Sequence, residues 1–118
     1  MTASAHYEFA CYLDYEGGTQ GASDIKWQWA IPAGATLRYQ CNRVDLSGNV
    51  SIGTTQVAAD VQTARTNGAG NLLAVIMHGT LVMSSTPGNL TLQWSQNTSS
   101  ATATIVHAQS YLKLVRIG

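Results

Sequence analysis

Apolar and polar residues alternate along most of this chain, and that period of two is what most constrains its fold. In HYEFACYLDYE, Tyr7, Phe9, Cys11, Leu13 and Tyr15 share one face, and Glu8, Ala10, Tyr12 and Asp14 share the other. A helix would scatter both sets around its circumference, whereas a strand gathers each set on one side. DIKWQWAI aligns Ile25, Trp27, Trp29 and Ile31 opposite Lys26 and Gln28, and ATLRYQC aligns Leu37, Tyr39 and Cys41 opposite Arg38 and Gln40. Near the end, Leu90, Leu92 and Trp94 alternate with Thr91, Gln93 and Ser95, and the strands TATIVHA and SYLKLVRI follow. The middle, NVSIGTTQVAADVQTA, reads as two short strands around Gly53 or as a stretch with a helical turn near 57–64. Its β-branched content favours strand.

One segment breaks the alternation. In LLAVIMHGTLVMSS, Leu73, Val75, Met77, Leu81 and Met83 hold one phase while Leu72, Ile76 and Val82 hold the other. A strand that is apolar on both faces is covered on both, here by a second sheet and by something else, such as a neighbouring subunit. Glycine, proline and asparagine punctuate the strands at EGGTQGASD, Pro32-Ala33-Gly34, RTNGAGN and Thr86-Pro87-Gly88-Asn89. The pattern predicts an all-β fold, an antiparallel β-sandwich of jelly-roll type with about eight strands and little or no helix. The whole chain, 1–118, reads as a single domain. Because an exposed apolar edge invites aggregation, the apolar closing strand is expected in the middle of a sheet.

Only 10% of the residues are charged, against about 25% in an average domain, and the net charge is zero. Low charge fits burial in an oligomer, where interface cores are depleted of charge, or work outside a cell. Six basic residues scattered along the chain make no basic face, so nucleic acid is not an expected partner. The longest apolar run, LLAVIM, is too short to span a bilayer, and MTASAHYEF has neither the basic start nor the apolar stretch of a signal peptide. Cys11 and Cys41 both take apolar-phase strand positions and read as small core residues, with one intrachain disulfide as the alternative.

The residues offer little chemistry. His6, His78 and His107 have no second ligand at metal-binding spacing. Nucleophile elbow, phosphate loop and dinucleotide fingerprint are all missing from the sequence, so no catalytic, cofactor-binding or metal residue is expected. Glu8, Asp14, Glu16, Asp24, Asp45 and Asp60 are the only carboxylates, and spacing singles out no pair among them. Asp14, Glu16 and Asp24 bracket the glycine-rich loop and are candidates for calcium, set against simple solvation. Trp27 and Trp29, on one strand face, are candidates for a flat ligand platform, although their phase with Ile25 and Ile31 favours packing. The sequons at Asn49, Asn89 and Asn97 read as incidental in so Ser- and Thr-rich a chain.

Leu90-Thr-Leu-Gln-Trp-Ser-Gln-Asn-Thr-Ser99, the Ala/Thr strand after it and Ser110-Tyr-Leu-Lys-Leu-Val-Arg-Ile117 resemble the C-terminal half of small β-domains in tailed-bacteriophage virion proteins. Tyr7-Glu-Phe-Ala-Cys-Tyr-Leu-Asp-Tyr15, Asp24-Ile-Lys-Trp27 and Ile31-Pro-Ala-Gly34 resemble their front half. The resemblance implies a jelly roll of the tumour-necrosis-factor and C1q type. It implies a homotrimer that works without enzymatic activity or cofactor on the phage particle, as a capsid decoration protein, head fibre or tail knob. Other virion proteins, the major capsid protein first, are the implied partners, and lysis of the host takes the place of secretion. Leu73, Val75, Met77, Leu81, Leu92, Trp94, Leu112 and Leu114 are then the expected core or trimer-axis residues. Relatives of this kind are expected to carry a further strand or anchoring arm where only Met1-Thr-Ala-Ser-Ala-His6 precedes Tyr7. The rival expectations are a receptor- or carbohydrate-binding tail-fibre module, using Trp27 and Trp29 or the loop from Glu16 to Asp24, and a depolymerase fragment.

Overall fold

The computed structural model describes residues 1–19, 23–53 and 55–118, so residues 20–22 of the glycine-rich loop and residue 54 of the middle segment lie outside it. Ten strands are seen among the described residues: β1 (His6–Glu16), β2 (Ile25–Ala30), β3 (Thr36–Val44), β4 (Val50–Ile52), β5 (Gln56–Val57), β6 (Gln62–Ala64), β7 (Leu73–Val82), β8 (Thr91–Gln96), β9 (Ile105–Val106) and β10 (Tyr111–Arg116). All pair antiparallel, in two sheets packed as a sandwich. The larger sheet runs β10-β1-β7-β3-β4, with β9 following β10 along the edge of β1 and β5 following β4 along the edge of β3. The smaller runs β6-β2-β8. The middle segment therefore forms strands, as its β-branched content favours, and the alternative of a helical turn near 57–64 is not realised.

The core lies where the alternation puts it. Phe9, Cys11, Leu13 and Tyr15 from β1, Leu37, Tyr39 and Cys41 from β3, and Val75, Met77 and Leu81 from β7 face Ile25, Trp27 and Trp29 of β2. Phe9 meets Trp29 edge-on, with ring centroids 5.1 Å apart. Local chemistry sets the hairpins. Between β3 and β4, Asp45 accepts hydrogen bonds from the Ser47 and Asn49 amides at 3.0 Å, and Gly48 takes the left-handed φ of 89° that closes the turn.

One end of the sandwich is closed by a buried polar latch. Asp24 Oδ1 accepts from the Thr66 amide at 3.0 Å, and the Asp24 amide donates to Thr66 Oγ1 at 3.0 Å. Thr104 Oγ1 donates to the Asp24 carbonyl at 3.0 Å, and Ser23 Oγ accepts from the Gly18 amide at 2.8 Å. Asp24 also holds a left-handed φ of 56°, which aspartate tolerates better than most residues. Asp24→Ala is expected to cost about 2–4 kcal/mol, since it strands the buried Thr66 amide and strains the turn. Asp24→Asn, which keeps an acceptor, should cost less than half as much when the two variants are compared by urea titration.

The last strand does not take its expected place. β10 pairs with β1 alone and forms an edge of the larger sheet, not its middle. Six residues long, it carries Lys113 and Arg116, and an edge that is short and basic resists pairing with further strands. Charge on the edge does the work that a central position was expected to do.

Candidate functional surface

The expected site residues separate into three groups. Val75, Met77 and Leu81 are fully buried in the core, and Leu73, Leu92 and Leu114 are half-buried against it. Trp94 and Leu112 have core phase but remain 42% and 43% exposed, because β8 and β10 are edge strands with a neighbour on one side only. Trp27 and Trp29 are 1% and 3% exposed, so the expected ligand platform is overturned: both rings are core packing between the sheets.

The calcium candidates do not converge. The Asp24 carboxylate is taken up by Thr66, and Glu16 lies 3.1 Å from His107 Nε2 and accepts from the Gly70 amide. Among the described residues, no group of three or more His, Cys, Asp and Glu side chains is placed to hold a metal ion.

The cysteine question closes on register. Cys11 and Cys41 both pair with Met77, from opposite sides of β7, and both thiols are free and buried. Two strand spacings put their Cα atoms about 10 Å apart, beyond the roughly 7 Å that a disulfide spans. Burial pushes the Cys11 thiol up to about 12 and also raises Cys41, against a smaller opposing effect of the Arg43 guanidinium. Both thiols are therefore expected to resist a disulfide reagent in the native protein and to react fully in guanidinium. Burial likewise raises the Tyr39 phenol to about 12. Folding holds these groups protonated, so their contribution to stability is intact below their unfolded values near 9 and 10 and is lost as the pH climbs from there towards 12. An alkaline pH titration of the melting temperature is expected to fall through that window.

What the larger sheet leaves bare is its other face. Residues paired across strands share a face, so the register lays side chains out in rows. One row runs Val115, Glu8, Thr80, Arg38, Val57 across β10, β1, β7, β3 and β5. The next holds Lys113, Ala10, His78 and Gln40, and a third runs Tyr111, Tyr12, Ile76, Asn42, Ile52. Along the middle strand, Ile76 is 46% exposed, and Val82 is exposed as well. Tyr111, Val115, Ile52 and Val57 expose apolar surface at the two margins, and the Tyr12 and Tyr111 rings stack with centroids 5.8 Å apart. Of the two covers expected over Leu73–Val82, the chain itself supplies one, the smaller sheet. The exposed apolar phase of β7 was legible in the sequence; the rows it belongs to were not, because they depend on which strands are neighbours.

A second, smaller feature lies on the other sheet. An open depression of about 280 Å³ is lined by Lys26, Trp27, Gln28, Val61, Gln93, Ser95 and the half-exposed Trp94, with Gln28 Nε2 donating to Gln93 Oε1 at 3.0 Å. Comparison of the chain with protein-family models, with curated proteins and with solved structures finds no match.

Proposed function

We propose that this chain is a non-enzymatic structural protein of a bacteriophage particle, a homotrimer that decorates and stabilises the capsid surface through contact with the major capsid protein. The observation that carries the reading is the bare outer face of the larger sheet, where Ile76 and Val82 are exposed on the central strand on either side of His78 and Thr80, and Tyr111, Val115, Ile52 and Val57 are exposed at the margins. Exposed apolar side chains at several points of one face of a charge-poor domain support burial by association. The mechanism is mechanical: each trimer clamps neighbouring capsid subunits and adds buried area that resists internal pressure. Made in the host cytoplasm, the chain is expected as a stoichiometric component of particles purified after lysis, released from them as a trimer. A chain found only in the soluble lysate, as a monomer by light scattering, overturns the reading.

The depression beside Trp94 supports a second reading, a receptor- or carbohydrate-binding tail module. An exposed indole next to paired amides is a surface on which a sugar ring can stack and hydrogen-bond. Binding to a glycan panel that is lost in Trp94→Ala, with the fold intact, would favour it; no binding by the wild-type chain removes it.

A further inference from the structure

The bare face is asymmetric in a way that makes it fit a copy of itself. Glu8 and Arg38 lie in one cross-strand row, one strand to either side of β7, and among the described residues neither side chain makes a hydrogen bond or an ion pair. Their backbones are about 10 Å apart with Thr80 between them, and no ion pair joins the two side chains among the described residues. We infer that this face is a self-association surface on which Glu8 of one copy pairs with Arg38 of the next, about a rotation axis running along β7.

The inference rests on the homo-oligomeric reading above and specifies its geometry. Rotation about an axis along β7 brings the β1 side of one copy against the β3 side of its neighbour. Acid then meets base along the row of Thr80. In that row the margins bring Val115 to Val57, and in the row of Ile76 they bring Tyr111 to Ile52. Ile76 and Val82, on β7 itself, converge on the axis. These three matches join groups of the same polarity or of opposite charge, while Ala10 meets Gln40 and Tyr12 meets Asn42, and a surface that carries both partners of an ion pair is what a symmetric interface requires. Five strands about 4.8 Å apart give a face roughly 20–25 Å wide, of the size that a small specific interface covers.

Arg38→Glu places like charges opposite each other and should weaken association at least about tenfold, measured by sedimentation across a dilution series. Glu8→Arg in the same chain reverses both signs and should restore it. Both positions are exposed, and circular dichroism checks that the fold is unchanged. The second measurement is covalent. A Glu8→Cys, Arg38→Cys double variant, whose native thiols are buried, should form intersubunit disulfides on mild oxidation. A ladder that closes at three supports both the pairing and the trimer. One that closes at two supports the pairing and overturns the trimer. An intact oligomer with no cross-link and no response to the charge reversal overturns the pairing while leaving the oligomeric reading in place. A monomeric wild-type chain overturns both.

Discussion

Replacing Gly79 with valine, or even alanine, is expected to destabilise the chain by at least about 3 kcal/mol, a large part of the stability of a domain of this size. Gly79 sits in the inner row of the larger sheet, between Phe9 on β1 and Tyr39 on β3. A Cβ there would lie 2.6 Å from the Tyr39 Cα, with the Arg38 carbonyl oxygen closer still. Those atoms are backbone, so no side-chain rotation relieves the contact, and β3 itself would have to move away from β7. The space is also in use: the Phe9 and Tyr39 rings approach each other across the glycine, 5.9 Å between centroids. A urea titration reads the effect directly. An unchanged midpoint for Gly79→Ala would show that β3 and β7 are not packed as described.

The second large effect separates two tryptophans that look alike in sequence. Trp27→Ala is expected to cost about 3–5 kcal/mol, because the ring is the largest fully buried side chain and its removal opens a cavity between the sheets. Trp94→Ala should cost about 1–2 kcal/mol, since nearly half of that side chain already meets water. The two residues are direct cross-strand partners, Trp27 on the central strand of the smaller sheet and Trp94 on its edge. Equal losses for the two variants would mean that β8 is covered by something beyond the single chain.

The pair also shows how far the alternation of residues can be read. Phase said correctly that Trp27, Trp29, Leu37, Tyr39, Val75, Met77 and Leu81 point inward. It said the same of Trp94 and Leu112, and these are exposed. The difference is lateral. A side chain with core phase is buried only if strands lie on both sides of its own and the opposite sheet extends over it, and a period of two carries no information about neighbours. The Asp24–Thr66 latch was invisible for a related reason: its members are 42 residues apart, and their hydrogen bonds depend on where two loops meet.

Alternation and turn chemistry determined on their own that this chain is an antiparallel β-sandwich, most of the residues that make its core, and that Leu73–Val82 is apolar on two faces. These are local properties, since each strand's sequence records which of its faces meets water. Tertiary structure alone decided that β10 lies at an edge, that Trp94 and Leu112 stay exposed despite their core phase, and that Cys11 and Cys41 stand on either side of Met77 and out of bonding range. It also placed Glu8 and Arg38 in one row astride β7. Strand order and register are long-range choices among pairings that satisfy the same alternation, and the packing of the whole chain selects between them.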